Sequence, residues 1–495
     1  MSESPNERPV DLATLALSPR VQLPLSGLRM SERKLLLAVG DIFLLNAALI
    51  LSLWLRTDLL PEWRAVFAVY KWFVTLIVVW GVMAAVFDVY NLVRAASTSC
   101  SVRATLGAAA GSAGIYLLIP WLTPPLQNRS QGFLFVSFAV LFVVGWRAFY
   151  AQVFVQPAFQ RRTLVVGAGS SGRKLAQALQ SDFARRDANP LRGTGHILVG
   201  FVDDDAAYWG ENIAGASVLG GSQQLVRLAR TLAVDEIVVA VTRTDRIRPE
   251  LFEAILDCRE LGIPIVNMTT VYERLTGRVA VAFASSNMEI ATQKGDGAFF
   301  RLYAIIKRGI DVCGAAVGFI ALLLFIPLVA LANALLSPGP LFFRQQRVGR
   351  GGQPFIVVKF RSMIPEAEKR SGPVWARRHD DRVTPVGRWL RRTHLDELPQ
   401  VINVWRGEMS LVGPRPERPE FVGQLSRLFP FYRARHCVRP GITGWAQIHR
   451  EYGDSAESAQ EKLEFDLYYV KHATPLLDIL IILRTFSRVL GLRGR

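Results

Sequence analysis

Five long apolar stretches constrain this chain more than any other feature. Four lie near 34–55, 70–90, 104–122 and 132–154, and a fifth runs over 312–336. Each of the first four is about the twenty residues a helix needs to cross the hydrocarbon core of a bilayer. Composition agrees, because 51% of the 495 residues are apolar despite 58 Lys and Arg. A chain of this length exceeds one ordinary domain, and about three units are expected. Arginines favour one side of the four spans: Arg8, Arg20, Arg29 and Arg33 before the first, Arg94 and Arg103 after the second, Arg161 and Arg162 after the fourth. The other two loops carry only Arg64 and Arg129. The positive-inside rule then puts both ends of a four-helix transmembrane bundle, 34–155, in the cytosol. Residues 1–33, containing Pro and Ser and lacking a cleavable signal pattern, read as a flexible cytosolic tail. Asp41 and Asn46, inside the first span, are expected to pair with neighbouring helices.

Residues 160–295 have a different grammar. TLVVGAGSSGRKLAQALQ starts as a strand, turns at Gly167, Gly169 and Gly172, and continues with helical spacing. Strand-like HILVGFVDD and EIVVAVT come next, then a helix-like stretch 249–261 and strand-like IPIVN. Such alternation predicts a Rossmann-like, doubly wound α/β domain. The three glycines in a strand–turn–helix context make a candidate nucleotide site. No acid sits about twenty residues on, and Asp203 at the end of the next strand is the nearest equivalent. Redox use of a dinucleotide, a regulatory or vestigial nucleotide site and a purely structural role all stay open.

The fifth apolar stretch contradicts a simple crossing. Lys307 and Arg308 precede it, and Arg344, Arg347 and Arg350 come after it, so both flanks are basic. Pro327, near its middle, removes a helix hydrogen bond and bends the backbone. After four spans the α/β unit is cytosolic, and a fifth crossing would strand the C-terminal module on the far side. A re-entrant membrane helix, 312–336, that bends at Pro327 and returns satisfies both constraints. An ordinary kinked fifth span is the alternative.

The basic charge is concentrated in that C-terminal module. Residues 337–450 hold 21 Lys and Arg against 9 Asp and Glu, whereas the rest of the chain is nearly balanced. Anionic lipid, phosphorylated substrates and nucleic acid are the partners such a module admits. Inside it, Asp396 and Glu397 stand just upstream of the turn Gly413-Pro414-Arg415-Pro416. Adjacent carboxylates repel, so a metal ion or arginines must offset them if both are ionised. An ionised carboxylate can attack phosphorus, and its partner can help hold a divalent cation. On spacing alone, Asp396 as cap of a helix starting near Leu398-Pro399 fits equally well. Lys359 and Arg361 come after a strand-like run and suit phosphate oxygens, as do Arg391 and the proline-flanked Arg415. Acids among the arginines repel a phosphate polymer, and aromatics are not interleaved for stacking, so no nucleic acid partner is expected. The cysteines Cys100, Cys258, Cys313 and Cys437 have neither metal nor disulfide spacing, which suits a reduced, cytosol-facing protein.

KRGID (307–311), the apolar hairpin with Pro327, GPLFFRQQRVG (339–349), KFRSM (359–363), LDELPQ (395–400), LVGPRP (411–416) and PGITGWAQ (440–447) together resemble a known family. They look like the bacterial sugar transferases, the polyprenyl-phosphate hexose-1-phosphate transferases or monotopic phosphoglycosyl transferases. The resemblance covers about 301–490, and the preceding bundle and α/β unit resemble the family's long form, which initiates exopolysaccharide or O-antigen assembly. It implies a catalytic α+β domain over 300–495 at the inner membrane of a bacterium, facing the cytoplasm. It implies that Asp396 attacks the β-phosphate of a UDP-sugar, releasing UMP, and that undecaprenyl phosphate then accepts the phosphosugar. Glu397 with Mg²⁺ would offset phosphate charge, Asp396 and Glu397 being the metal ligands. Lys359, Arg361, Arg391 and Arg415 would clamp the phosphates, and Pro414 and Pro416 would border the nucleotide. One departure is visible: Ile326 stands where family members often have Ser before the hairpin proline.

A rival enzyme, an NAD-dependent nucleotide-sugar dehydratase, would use GAGSSG with a Tyr-x-x-x-Lys pair, which Tyr303 and Lys307 match in spacing. That pair abuts the membrane segment, a poor place for such chemistry. Near the C-terminus, EKLEFDLYYVKHATPLLDILIILRTFSRVL has an apolar end too short to span, and interfacial docking is expected. Asp466 and Tyr469 are expected to pack in the core. The sugar, and self-association as a homo-oligomer, stay open.

Overall fold

Four helices fill most of the first four apolar stretches: Met30–Trp54, Tyr70–Val86, Thr98–Leu117 and Arg129–Val153. The first packs on the fourth, and the third packs on both the second and the fourth. Their shared core includes Leu45, Leu76, Trp80, Ala108, Phe135 and Val143. Among the described residues, three helical stretches are long and apolar enough to cross a membrane: Leu35–Trp54, Gly132–Tyr150 and Arg301–Leu336. Tyr70–Val86 is apolar but has 17 residues. Thr98–Leu117, expected as the third span, is diluted by small residues that it uses for packing. A Cβ at Gly107 would lie 2.5 Å from the Phe87 ring, and one at Gly111 would lie 2.8 Å from the Met83 sulfur. Small residues four apart let helices approach closely. The Asp41 carboxylate pairs with Arg147 of the fourth helix, both fully buried, so the expected interhelical pairing holds there. Asn46 instead donates to the Ile42 carbonyl one turn back in its own helix, at 2.6 Å, which corrects its expected role.

The computed structural model describes residues 30–55, 70–87, 89–90, 98–117, 129–153, 161–180, 196–241, 248–286, 297–365, 381–429, 431–449 and 456–489. Arg8, Arg20, Arg29, Arg64 and Arg94 lie outside them. The chain divides into two units, Met1–Leu275 and Thr276–Arg495. The division falls ahead of the expected break between 295 and 300 because Gly277–Val281 packs into the second unit. The Gly277 carbonyl accepts from the Trp445 indole at 2.9 Å, and Val279 N–H donates to Glu464 at 3.0 Å.

In the first unit, strands β1 (Arg161–Val166) and β2 (His196–Val202) precede a small hairpin, β3 (Asn212–Ile213) with β4 (Ala216–Ser217). Then come β5 (Glu236–Val239) and β6 (Ile265–Asn267). The order β2-β1-β5-β6 is parallel throughout, with the helices Ser170–Gln180 and Pro249–Glu260 among its crossovers. A parallel sheet is covered on both faces, which is why its strands read as unbroken apolar runs. The expected α/β alternation is therefore present.

The second unit is built along one helix, Gly297–Leu336, whose helical run is unbroken at Pro327. The stretch expected to re-enter the membrane is thus one continuous helical run with Pro327 inside it. The strands β7 (Phe342–Val348) and β8 (Pro354–Phe360) come next as an antiparallel hairpin, with Phe343 opposite Lys359. Shorter elements succeed it: the helix Pro385–Arg392, a 3-10 turn Leu395–Gln400 and the helix Val401–Arg406. Strands β9 (Ser410–Val412) and β10 (Gly441–Thr443) pair in parallel, and the helices Ala456–His472 and Pro475–Val489 complete the unit. Leu322 and Val329, on either side of Pro327, share a core with Phe360, Val386, Leu390 and Val401. The opposite face is bare: Val317, Ile320, Leu324, Leu328, Leu331 and Leu335 are 61–73% exposed at helical spacing.

Candidate active site

The acid pair sits in the 3-10 turn, not at a helix cap. His394, with φ of 58°, opens the turn and makes no side-chain cap bond, while Pro399 lies inside it. The capping alternative for Asp396 is therefore overturned. Gly407, at φ of 81°, ends the helix Val401–Arg406 that continues the turn. Asn403 locks this helix to β8: its amide donates to the Ile356 carbonyl at 2.7 Å and its oxygen accepts from Val358 N–H at 3.2 Å. The next residue along β8 is Lys359, so this clasp brings a strand lysine to the acidic turn.

The two acids have different surroundings. Glu397 is held by Lys359 Nζ at 2.9 Å and by both Arg415 terminal nitrogens, at 2.5 and 3.2 Å. Burial pushes its pKa up, but the combined Arg415 and Lys359 charges hold it well below the ordinary glutamate range. Burial of Lys359 pushes its own pKa down against the pull of Glu397. Asp396 is buried, yet its carboxylate makes no hydrogen bond among the described residues. Burial and then the Glu397 charge raise its pKa, while Lys359, Arg391 and Arg415 lower it. A raised pKa leaves a carboxylate more basic and more nucleophilic when ionised.

The arginine turn is held by its backbone. A Cβ on Gly413 would lie 2.3 Å from the Arg439 carbonyl, and one on Gly444 would lie 2.2 Å from the Gly413 carbonyl. Only glycine allows the LVGPRP and PGITG segments to cross this closely. Arg435, buried and paired with Asp466 at 2.7 Å, donates to the Arg415 carbonyl at 2.9 Å. Arg347 donates to the Pro416 carbonyl at 3.0 Å. A small cleft opens beside the turn, lined by Pro414, Arg415, Pro416, Glu417 and His436 among others. The predicted Pro414 and Pro416 therefore do border a recess. Burial, with Arg435 and Arg433 nearby, pushes His436 down to about 4, so it is neutral there at neutral pH.

Not every expected residue joins this site. Arg391 donates to the Ser362 hydroxyl at 2.9 Å, within electrostatic reach of Asp396, whereas Arg388 and Arg392 are exposed. Arg361 is buried and serves the long helix: it donates to the Pro340 carbonyl at 2.8 Å, to the Ser337 carbonyl and toward Asn333. Its guanidinium is thus engaged with carbonyls at the helix end and not with the acid pair. Tyr303 and Lys307 both bond Asp478, so the dehydratase pair is committed elsewhere. Sequence reasoning missed Asn403, Arg347 and Arg435 as supports; arginine-rich segments give no local sign of which guanidinium is buried. Gly167, at φ of 106°, and Gly172 form a tight turn, where a Cβ on Gly172 would meet the Gly167 carbonyl at 2.0 Å. Asp203 accepts from the Ala168 N–H of that turn at 2.7 Å.

Magnesium takes hard oxygen ligands, commonly one or two carboxylates with substrate phosphates and water. No cluster of three or more His, Cys, Asp or Glu occurs among the described residues. Among the described residues no protein donor takes the Asp396 carboxylate oxygens, which suit that limited role, whereas both Glu397 oxygens are taken by Lys359 and Arg415 until a substrate draws those cations away.

Comparison with known proteins agrees with this geometry. Residues 302–491 match the bacterial sugar transferase model, and residues 85–251 match a CoA-binding domain. An Aeromonas hydrophila UDP-N-acetylgalactosamine-undecaprenyl-phosphate N-acetylgalactosaminephosphotransferase is 42% identical over 52% of this chain and 59% of its own. The Escherichia coli K12 UDP-glucose:undecaprenyl-phosphate glucose-1-phosphate transferase is 38% identical over 54% of this chain and 57% of its own. The match therefore spans somewhat more than half the length of either relative. An exopolysaccharide production protein of Rhizobium leguminosarum is 39% identical over 37% of this chain and 93% of its own. With most of that relative matched at this identity, and with the ordered motifs gathered about one acid pair, the chain belongs to the bacterial sugar transferase family.

Proposed function

We propose that the chain transfers a hexose-1-phosphate from a UDP-sugar to undecaprenyl phosphate, the initiating step of exopolysaccharide or O-antigen synthesis. One observation carries the mechanism: Glu397 is tied by Lys359 and Arg415, while the Asp396 carboxylate beside it takes no hydrogen bond among the described residues. In the first step an Asp396 oxygen bonds to the β-phosphorus as the bond to the α-phosphate bridging oxygen breaks. UMP leaves with that electron pair. In the second step an oxygen of undecaprenyl phosphate bonds to the same phosphorus and the aspartate leaves. Lys359 and Arg415, released from Glu397 by the incoming diphosphate, neutralise its oxygens. Arg391 lends further positive charge beside Asp396. Magnesium, held by Asp396 and Glu397 with the substrate phosphates, would supply additional charge neutralisation.

The membrane placement is argued from where the long helix is tied. Lys307 and Asp311 near its start bond to β9, and Asn333 and Ser337 at its end bond to Arg361. At 1.5 Å per residue these ties lie about 33–45 Å apart along a straight helix, at least the hydrocarbon core. A helix that crossed would drag one basic module through the bilayer. We therefore read it as re-entrant from the cytosolic leaflet, with the face from Val317 to Leu335 toward lipid. On this reading a soluble donor and a lipid acceptor meet at one site. The glycine turn Gly167–Gly172 is offered as a nucleotide site in the unit that matches a CoA-binding domain.

The test is UMP release by the full chain in vesicles containing undecaprenyl phosphate, against a panel of UDP-sugars. Asp396→Asn is expected to abolish release while the protein still folds. Release near the wild-type rate would sink the nucleophile assignment, and the panel identifies the sugar.

A further inference from the structure

Among the described residues, strand β9 pairs with β10 on one side and has no strand on the other. Two side chains of the long helix, one turn apart, take the place of that missing neighbour. Asp311 accepts from Leu411 N–H at 2.9 Å and from the Ser410 hydroxyl at 2.8 Å. Lys307 donates to the Val412 carbonyl at 3.0 Å. An unpaired strand edge satisfied by charged side chains is held in one register, because charge-assisted bonds are the strong ones.

Lys307 is itself fully committed. An ammonium has three donors, and the other two go to Asp478 at 3.0 Å and the Tyr469 hydroxyl at 3.1 Å. Tyr469 donates to Asp478 at 2.7 Å, and Tyr303 donates to the same carboxylate at 3.0 Å. Asp478 is 1% exposed and Tyr469 is 1% exposed. Asp478 belongs to the helix Pro475–Val489, whose Leu476 and Ile479 are bare. One buried network thus joins the start of the long helix, this C-terminal helix and the last carbonyl of β9. Gly413-Pro414-Arg415 comes directly after that carbonyl, so the network ends one glycine and one proline short of the arginine that grips Glu397.

We propose that Lys307, Asp478 and Tyr469 are positioning residues, which set the Arg415 turn by the seating of the long helix against the C-terminal helix. Both helices present apolar faces, so their seating depends on the lipid around them, and the network carries that seating to the phosphate site. The inference rests on Arg415 binding substrate phosphate.

A double-mutant cycle on the full chain in undecaprenyl-phosphate vesicles tests it. Lys307→Met is expected to lower kcat/KM for the UDP-sugar about tenfold or more, chiefly through KM. In an Arg415→Ala background the same change should cost less than about twofold, because the arginine it positions is gone. Equal losses in both backgrounds would overturn the proposal. Tyr469→Phe keeps the ring and removes only the hydroxyl, and it should behave in the same direction. Amide hydrogen exchange over 410–416 is the second readout, expected to quicken in Tyr469→Phe; unchanged exchange also overturns the proposal. A wild type that releases no UMP would instead defeat the transferase assignment, and the exchange measurement would still judge the brace.

Discussion

Glu397 and Asp396 are neighbours in sequence, yet cations reach them unequally. The turn aims Glu397 at Lys359 and Arg415, and leaves Asp396 in their field without their bonds. No sequence spacing distinguishes two adjacent acids in this way, although the pair and the Gly-Pro-Arg-Pro turn were both legible because each is chain-local. Arg361 shows the converse. It reads as a phosphate ligand from its place after a strand, and its real partners are carbonyls at 337 and 340, reachable only once the long helix has ended beside β8. Arg361→Met removes the bonds from this buried guanidinium to two partly exposed carbonyls, at a net cost of about 0.5–1.5 kcal/mol each. A lowered melting temperature with an unchanged KM for the UDP-sugar is the expected result. A raised KM with an unchanged melting temperature would return Arg361 to the phosphate site.

At the scale of elements, the apolar stretches were legible because twenty consecutive apolar residues have few other uses in a chain. What they could not convey was how each is used. Thr98–Leu117 spends its glycines on contact with Phe87 and Met83, and so it falls short of a spanning hydropathy. Arg301–Leu336 has the highest mean hydropathy of the candidate spans and is mostly exposed over its apolar stretch, but its polar residues bind one module at both ends. Those bonds are the basis of the re-entrant reading proposed above. Single cysteines placed at Arg301 and at Arg350, both exposed, should react with a membrane-impermeant maleimide from the same face of the membrane. Labelling from opposite faces would make the helix a true crossing. The basic flanks, read from sequence, point to the same outcome through the positive-inside rule, an independent physical cause.

At the scale of the whole molecule, the proposed transferase site lies within the second unit. The acid pair, the strand lysine, the arginine turn and its supports all lie after Thr276, with apolar cores of their own around Val412 and Trp445, around Leu463 and Leu467, and around Leu322 and Phe360. The first unit holds separate cores, one in the helical bundle and one under the parallel sheet. A 186-residue match covers 93% of the Rhizobium leguminosarum exopolysaccharide production protein, so that relative is little longer than the stretch it shares with this chain. The first unit is then an addition whose loss removes no residue of the site. Residues 276–495 produced alone in vesicles should release UMP from the same UDP-sugar as the full chain, at a rate within about tenfold. Release that also vanishes in Asp396→Asn of the short form would tie the activity to the same carboxylate. If the short form folds by its melting transition and yet releases no UMP, the first unit must contribute to the site.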